Sequence, residues 1–171
     1  MENKVLVAYA SKYGATKEIA EKIGEVLKQE GLQADVLPVK TVKNLSAYKA
    51  VVIGSAVYIA NWRKEAANFL KANEKLLSER PVWLFSSGPA GDGNPVEKLK
   101  GWRFPTGLQP VADRIKPRDN TVFFGEYNAA KMNFIEKWMM KNVKSPVGDF
   151  RDWDAITKWA TGIADTLKKL G

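Results

Sequence analysis

The chain has 171 residues and a formal charge of +8, from 27 lysines and arginines against 19 aspartates and glutamates. It contains no cysteine and no histidine, which excludes disulfides, iron–sulfur ligation, thiolate nucleophiles, ordinary zinc sites and a Ser-His-Asp triad. Any redox chemistry must therefore come from a bound organic cofactor, and no metal site is predicted.

The length predicts one domain over 1–171. No stretch approaches the ~20 apolar residues of a membrane-spanning helix, and the N-terminus enters an apolar strand pattern without a signal peptide, so we expect a cytoplasmic protein. The basic charge favours either an anionic membrane face, an acidic partner or simply a solubilising surface. No recognition motif accompanies it, so no nucleic-acid partner is expected.

Short apolar runs alternate with amphipathic segments, a pattern typical of a parallel sheet with helices on both faces. Continuous apolar runs such as 5–9 predict central strands that are buried on both sides. Pro38 predicts an edge position for the second strand, because proline cannot donate a ladder hydrogen bond. Strands are predicted at 5–9, 34–39, 48–55, 81–85 and 121–125.

Helical spacing of apolar residues predicts helices at 16–30, 62–78 and 152–170. Asn61 is the expected N-cap of the second helix, and Asp152 lies at the positive end of the last. Two segments do not fit a minimal alternating pattern. One, 91–120, is rich in glycine and proline and basic; the other, 128–143, predicts an extra helix that packs in the core or docks a partner or a bilayer.

A short turn between the first strand and the first helix has the composition of a phosphate-binding loop. Backbone N–H groups at a helix N-terminus point at one spot, and the helix dipole adds positive charge. Ser11 and Thr16 supply hydroxyls, Gly14 allows close backbone approach, and Lys12 adds positive potential. The alternative is an ordinary turn with Thr16 as N-cap. The pattern matches neither the three-glycine dinucleotide motif nor the P-loop, so a mononucleotide fits better. The loop comprises Ser11, Lys12, Tyr13, Gly14, Ala15 and Thr16.

Two further loops should lie beside this turn, because ligands of doubly wound sheets bind beyond the carboxyl ends of the strands. The loop after the third strand carries Tyr58 and Trp62, whose rings either stack on a flat ligand or pack in the loop; Trp62 suits packing better. The loop after the fourth strand carries small residues whose N–H groups would bond polar atoms of a ring. The candidate residues are Ala56, Val57, Tyr58 and Asn61 in the first loop and Ser86, Ser87, Gly88 and Gly91 in the second.

The segment 11–16 resembles the flavodoxin phosphate loop, written Thr/Ser-x-Thr-Gly-x-Thr, with Tyr13 where flavodoxins usually have threonine. Within that superfamily, 51–58, 134–140 and 148–153 are similar to the flavodoxin-domain group that includes menaquinone-dependent protoporphyrinogen oxidase. The resemblance implies an α/β fold: a flavodoxin-like, doubly wound, five-stranded parallel sheet of order 2-1-3-4-5 with helices on both faces. It also implies FMN, held by the three loops described above.

The same resemblance implies a redox function in which N5 of the flavin carries the chemistry, so no catalytic side chain is assigned. As an enzyme, the protein would dehydrogenate a tetrapyrrole and pass electrons to a quinone, with the N–H groups near Ser87 and Gly88 tuning the flavin. Basic residues between 98 and 118 would then attract propionates or an anionic membrane. The alternatives are a flavodoxin-type electron carrier that meets redox partner proteins, against which the basic charge weighs, and a cofactor-free binding module on the same fold.

Overall fold

A sheet of five parallel strands forms the centre of the computed structural model, which describes residues 4–89, 91, 93–127 and 148–171. The strands are β1 (Lys4–Ala10), β2 (Gln33–Pro38), β3 (Ala50–Tyr58), β5 (Val82–Ser87) and β6 (Asp119–Phe123). Their order is β2-β1-β3-β5-β6. A two-residue strand, β4 (Asn61–Trp62), pairs antiparallel with the end of β3. The predicted order 2-1-3-4-5 is therefore confirmed, because β4 only adds a number to the series. Pro38 lies on β2 at the end of this order, as predicted.

Helices cover both faces of the sheet. Alternate residues of the strands face opposite layers, so Val5 and Val7 pack with the helices at 15–29 and 153–170, while Leu6 and Ala8 pack with the helices at 64–72, 74–78 and 109–115. No helix of the described segments is long and apolar enough to cross a bilayer. The helices are α1 (Ala15–Gln29), α2 (Lys64–Ala72), α3 (Glu74–Ser78), α4 (Pro95–Lys98), α5 (Gln109–Ile115) and α6 (Trp153–Leu170), with 3₁₀ turns at Val39–Thr41, Leu45–Ala47 and Thr106–Leu108.

The prediction of one helix over 62–78 is wrong in two respects: the helix begins two residues later, and it is divided into α2 and α3. Asn61 and Trp62 form β4, so Asn61 is not the N-cap; Arg63 is, without a side-chain capping bond. The Trp62 ring is buried, and this burial holds the chain in the hairpin for two residues longer than helical spacing suggested. Asn73 then separates α2 from α3, with its side chain donating to the Phe69 carbonyl at 2.8 Å.

The last helix follows the sequence closely. Asp152 is the N-cap of α6, and its side chain accepts a hydrogen bond from the Ala155 amide at 3.0 Å. Two short strands, β7 (Glu126–Tyr127) and β8 (Gly148–Asp149), pair antiparallel just before α6.

The helix predicted at 128–143 lies outside the described residues. The basic segment 91–120, where described, contains α4, a 3₁₀ turn and α5.

Candidate cofactor site

The three predicted loops leave the sheet at the same edge. Strands β1, β3 and β5 are parallel neighbours, and their last residues are in register: Ala10 lies beside Ser55, and Ser55 beside Ser86. The loops that begin at Ser11, after Tyr58 and after Ser87 therefore start side by side. This is the edge at which doubly wound sheets bind ligands.

The turn before α1 presents an uncapped helix N-terminus. Gly14 is the N-cap, in the left-handed region at φ 94°, and no side chain caps the helix. Its own amide donates to Ser11 Oγ at 3.1 Å, which shapes the loop. The first-turn amides that follow, from Ala15 on, have no acceptors within the helix. The alternative in which Thr16 caps the helix is wrong, because Thr16 is buried inside the first turn.

Apart from its chain neighbours and the backbone of the adjoining helical turn, no atom lies within 4 Å of the position that a Cβ on Gly14 would occupy. The space beside the turn is therefore open to a ligand atom, and the positive φ favours glycine there. Open N–H groups, a helix dipole and free space are together what an anion requires.

Tyr13, the departure from the flavodoxin pattern, carries a buried hydroxyl that makes no hydrogen bond. Its Oη is buried and without a hydrogen bond, one of two such side-chain atoms among the described residues. The ammonium group of Lys12 lies 5.2 Å from the centroid of its ring. Buried hydroxyls in proteins are almost always hydrogen-bonded. An orphaned hydroxyl in this loop therefore fits a site completed by a phosphorylated cofactor.

We expect Tyr13→Phe to have opposite effects with and without the cofactor. Removing an unpaired buried hydroxyl should leave the cofactor-free protein equally stable or up to about 1 kcal/mol more stable. Affinity for FMN should fall about tenfold, because one hydrogen bond to a charged group is lost. Urea unfolding of the apoprotein and an FMN titration measure the two effects. Unchanged FMN affinity would show that the hydroxyl does not contact the cofactor.

The loop after β3 is a tight hairpin with an exposed apolar tip. Ile59 and Ala60 connect β3 to β4, and both have positive φ, 49° and 59°, the pattern of a type I′ turn, which normally selects asparagine and glycine. Tyr58 is 50% exposed and Ile59 74%, so the Tyr58 ring is accessible at the predicted site. Asn61 Nδ2 donates to the Ile59 carbonyl at 3.3 Å, within the hairpin itself. Ala56 and Val57 are half-buried at its base.

Trp62 and Ser86 bind each other. Trp62 Nε1 donates to Ser86 Oγ at 2.8 Å, and its ring packs edge-on against Phe104 at 5.1 Å between centroids. The Ser86 hydroxyl lies 3.3 Å from the Arg103 carbonyl, to which it donates. The packing interpretation of Trp62 is thereby confirmed. The Ser86 side chain holds the hairpin to β5 and shapes the site, and its hydroxyl has no hydrogen left to donate to a ligand.

The loop after β5 contributes close backbone approach at Gly88, whose amide is already hydrogen-bonded. Gly88 donates its N–H to the Phe123 carbonyl at 3.2 Å, so this amide is not free for the ring; that other N–H groups near Ser87 and Gly88 tune the flavin stays a prediction. A Cβ on Gly88 would lie 3.2 Å from the carbonyl oxygen of Val57, which explains the need for glycine. Ser87 is buried, and Gly91 has a positive φ of 139°.

Sequence reasoning missed a buried arginine that touches the phosphate-loop helix. The Arg151 guanidinium contacts Asp149, Glu126 and Glu18. Its hydrogen bonds to Asp149 raise the pKa of Arg151, with attraction from Asp149 and Glu18 adding to the effect and burial opposing it. The available signal was its place in 148–153, a segment identified only by resemblance.

A groove of about 810 Å³ lies along β6, beside the loop after β5. It contains none of the fourteen predicted cofactor residues, and its aromatic wall is formed by Trp83, Phe123 and Trp159. From the basic segment 98–118 only Arg103 lines it. The charged lining is mixed: Glu97, Arg103, Asp119, Asp152 and Lys158. That the basic residues of 98–118 attract anions stays a prediction, because only one of them lines this groove.

The strand order, the uncapped turn after β1 and the three loops at one edge define a flavodoxin-like fold. A family model described as "Flavodoxin domain" matches residues 6–154. The chain therefore belongs to the flavodoxin domain family. Membership in this family indicates FMN as the cofactor and redox electron transfer as the general chemistry.

Relatives and solved structures agree with this assignment. The chain is 23% identical to the protoporphyrinogen IX dehydrogenase [quinone] of Escherichia coli K12, over 97% of both chains. It superposes on an archaeal flavodoxin with a TM-score of 0.61 at 16% identity, covering 96% of this chain and 99% of that one. It also superposes on the rubredoxin oxygen:oxidoreductase of Desulfovibrio gigas with a TM-score of 0.63 at 18% identity, covering 98% of this chain and 37% of that one. The structural likenesses show the fold.

Proposed function

We propose that this protein is an FMN-dependent oxidoreductase that takes hydrogens from a tetrapyrrole of the protoporphyrinogen type and passes the electrons to a quinone. The observation that carries the proposal is the end-to-end similarity to a quinone-dependent protoporphyrinogen IX dehydrogenase, which spans 97% of each chain. The sequence contains neither cysteine nor histidine, and flavin chemistry requires neither residue.

In this proposal the cofactor phosphate lies at the turn 11–16 and is bound by the first-turn amides, the Ser11 and Tyr13 hydroxyls and the charge of Lys12. The exposed Tyr58 ring covers the flat ring system from the β3–β4 hairpin. Gly88 allows the opposite loop to approach closely. When bound, FMN supplies hydride or electron transfer through its ring. The chain's residues hold and orient it, and no side-chain acid or base is assigned.

A lipid-soluble quinone as acceptor implies work at a membrane surface. We place the protein in the cytoplasm with peripheral contact to an anionic bilayer, which its net charge of +8 would favour. Each basic residue near such a surface contributes about 1 kcal/mol. Binding to vesicles that contain anionic lipid should therefore weaken steeply as salt is raised.

The proposal is tested in two stages. The purified apoprotein is titrated with FMN, and a saturable complex is expected. The loaded protein is then assayed with protoporphyrinogen IX and menaquinone, with NAD(P)H and simple quinones as comparison substrates. Turnover should be fastest with the first pair.

The two stages separate the alternatives. No FMN binding would contradict the cofactor assignment and favour a binding module. Binding without turnover of any pair would favour an electron carrier of the flavodoxin type. The likeness to the archaeal flavodoxin, which extends over 99% of that protein's length, keeps this second candidate in view.

A further inference from the structure

We propose that Arg151 is a positioning residue for the cofactor phosphate: its guanidinium fixes the first turn of α1 and places one positive charge among the carboxylates that surround it. This inference rests on the proposed binding of FMN at the turn 11–16. It concerns a residue at the far end of the chain, outside the three loops.

The contacts of Arg151 join four elements. Nε and Nη2 donate to the two carboxylate oxygens of Asp149 in β8, at 2.9 and 2.8 Å. Nη2 also donates to Glu126 in β7 at 2.7 Å. The guanidinium carbon lies 4.7 Å from the centroid of the Trp153 ring at the start of α6. The side chain is 5% exposed, so this geometry is held from all sides.

The fourth element is the helix of the phosphate loop. Nη1 of Arg151 lies 3.4 Å from the carbonyl oxygen of Ala15, the first residue of α1, and 3.2 Å from Glu18 Oε2 in the same turn. The bonds therefore fasten the turn whose amides face the predicted phosphate. A planar, two-point donor such as arginine sets orientation as well as distance.

The charged groups around Arg151 explain why its contact with α1 would affect the binding of a phosphate group. Three carboxylates, of Glu18, Glu126 and Asp149, contact one guanidinium. Removing Arg151 takes one positive charge from this cluster, next to the first turn of α1, so a phosphate dianion would be bound less favourably while an uncharged ring would be almost unaffected. Replacing Arg151 should therefore lower the affinity for a phosphorylated ligand and leave the affinity for the same ligand without its phosphate almost unchanged.

Arg80 offers a matched control. It is also partly buried and also ties distant segments together, donating to the carbonyls of Leu76, Leu45 and Tyr48 at 2.8, 3.0 and 2.8 Å. These partners lie outside the three site loops and carry no charge. Replacing Arg80 should destabilise the fold without changing the preference for a phosphorylated ligand.

The experiment compares FMN with riboflavin, which lacks the phosphate. Dissociation constants are measured by flavin fluorescence for the wild type, Arg151→Gln, Arg151→Lys and Arg80→Gln, with urea unfolding of each apoprotein alongside. For Arg151→Gln, FMN affinity should fall about tenfold or more and riboflavin affinity less than about twofold. Arg151→Lys keeps the charge but loses the two-point bonds, so a fall of about threefold for FMN alone is expected. Arg80→Gln should leave the ratio of the two constants unchanged.

Equal losses for FMN and riboflavin, or an unchanged ratio in the Arg151 variants, would overturn the inference. If Arg151→Gln does not fold, the lysine variant decides: a reduced preference for FMN supports the positioning role, and wild-type preference rejects it. A wild-type protein that binds no FMN would instead reject the proposed function, so the two failures are distinguishable.

Discussion

Replacing Gly54 with alanine is expected to destabilise the protein by about 3 kcal/mol or more. A Cβ at this position would lie 1.9 Å from Cζ of Phe85 and almost as close to two further ring atoms. The ring has nowhere to move, because Phe85 is fully buried and packs against Phe123 and Trp159 at centroid distances of 5.8 and 5.9 Å. Strand β3 cannot retreat either, since it is paired on both sides.

Urea unfolding measures this effect, with Gly162→Ala as the control. Gly162 lies in α6 with no atom within 4 Å of its virtual Cβ, so alanine there should stabilise the helix by about 0.5–1 kcal/mol. A lower free energy of unfolding for Gly54→Ala and a higher one for Gly162→Ala would show that the space around each Cβ decides the effect. A Gly54→Ala protein as stable as the wild type would mean that the Phe85 ring can adopt another position.

The second large effect is expected at the phosphate loop. The double change Ser11→Ala and Thr16→Ala should weaken FMN binding by about 1–3 kcal/mol for each charged hydrogen bond lost, where every 1.4 kcal/mol is about a factor of ten. Ser11 has an additional role, because its Oγ accepts the Gly14 amide and holds the turn in shape. The single variants should therefore differ, with Ser11→Ala the more damaging.

The control removes two hydroxyls elsewhere. Ser46 bonds Asn44, and Thr166 bonds the Gly162 carbonyl; neither belongs to the site loops. A double Ser46→Ala, Thr166→Ala protein should bind FMN as the wild type does. If the Ser11 and Thr16 variants also kept full affinity, the phosphate would have to lie elsewhere, and the proposed site would fail.

Local patterns predicted the strands well and the helix ends less well. The predicted second strand, 34–39, is observed at Gln33–Pro38. The last helix, predicted at 152–170, is observed at Trp153–Leu170 with Asp152 as its N-cap. These features depend on alternation and on capping, which neighbouring residues decide.

The start of α2 could not be predicted from neighbouring residues. It depends on Trp62 reaching Ser86, 24 residues away.

The same division holds at the site. The turn 11–16 is recognisable because a phosphate loop is a contiguous run of residues, and the register of parallel strands brings its two neighbours to the same edge. Whether an individual group is available depends on distant partners. The Gly88 amide is occupied by Phe123, and the Ser86 hydroxyl is occupied by Trp62 and Arg103.

The amino-acid sequence alone was sufficient for the class of fold and the need for an organic cofactor, and it predicts the turn 11–16 as the phosphate site. These follow from composition or from residues a few positions apart, whereas the strand order was implied by the resemblance to flavodoxins. Tertiary structure alone decided which polar groups remain unpaired and which charges meet. Arg151 is the clearest case, since its partners Glu18 and Ala15 are 133 and 136 residues away. Such pairings arise only when the chain has folded, because no periodicity or short motif encodes them.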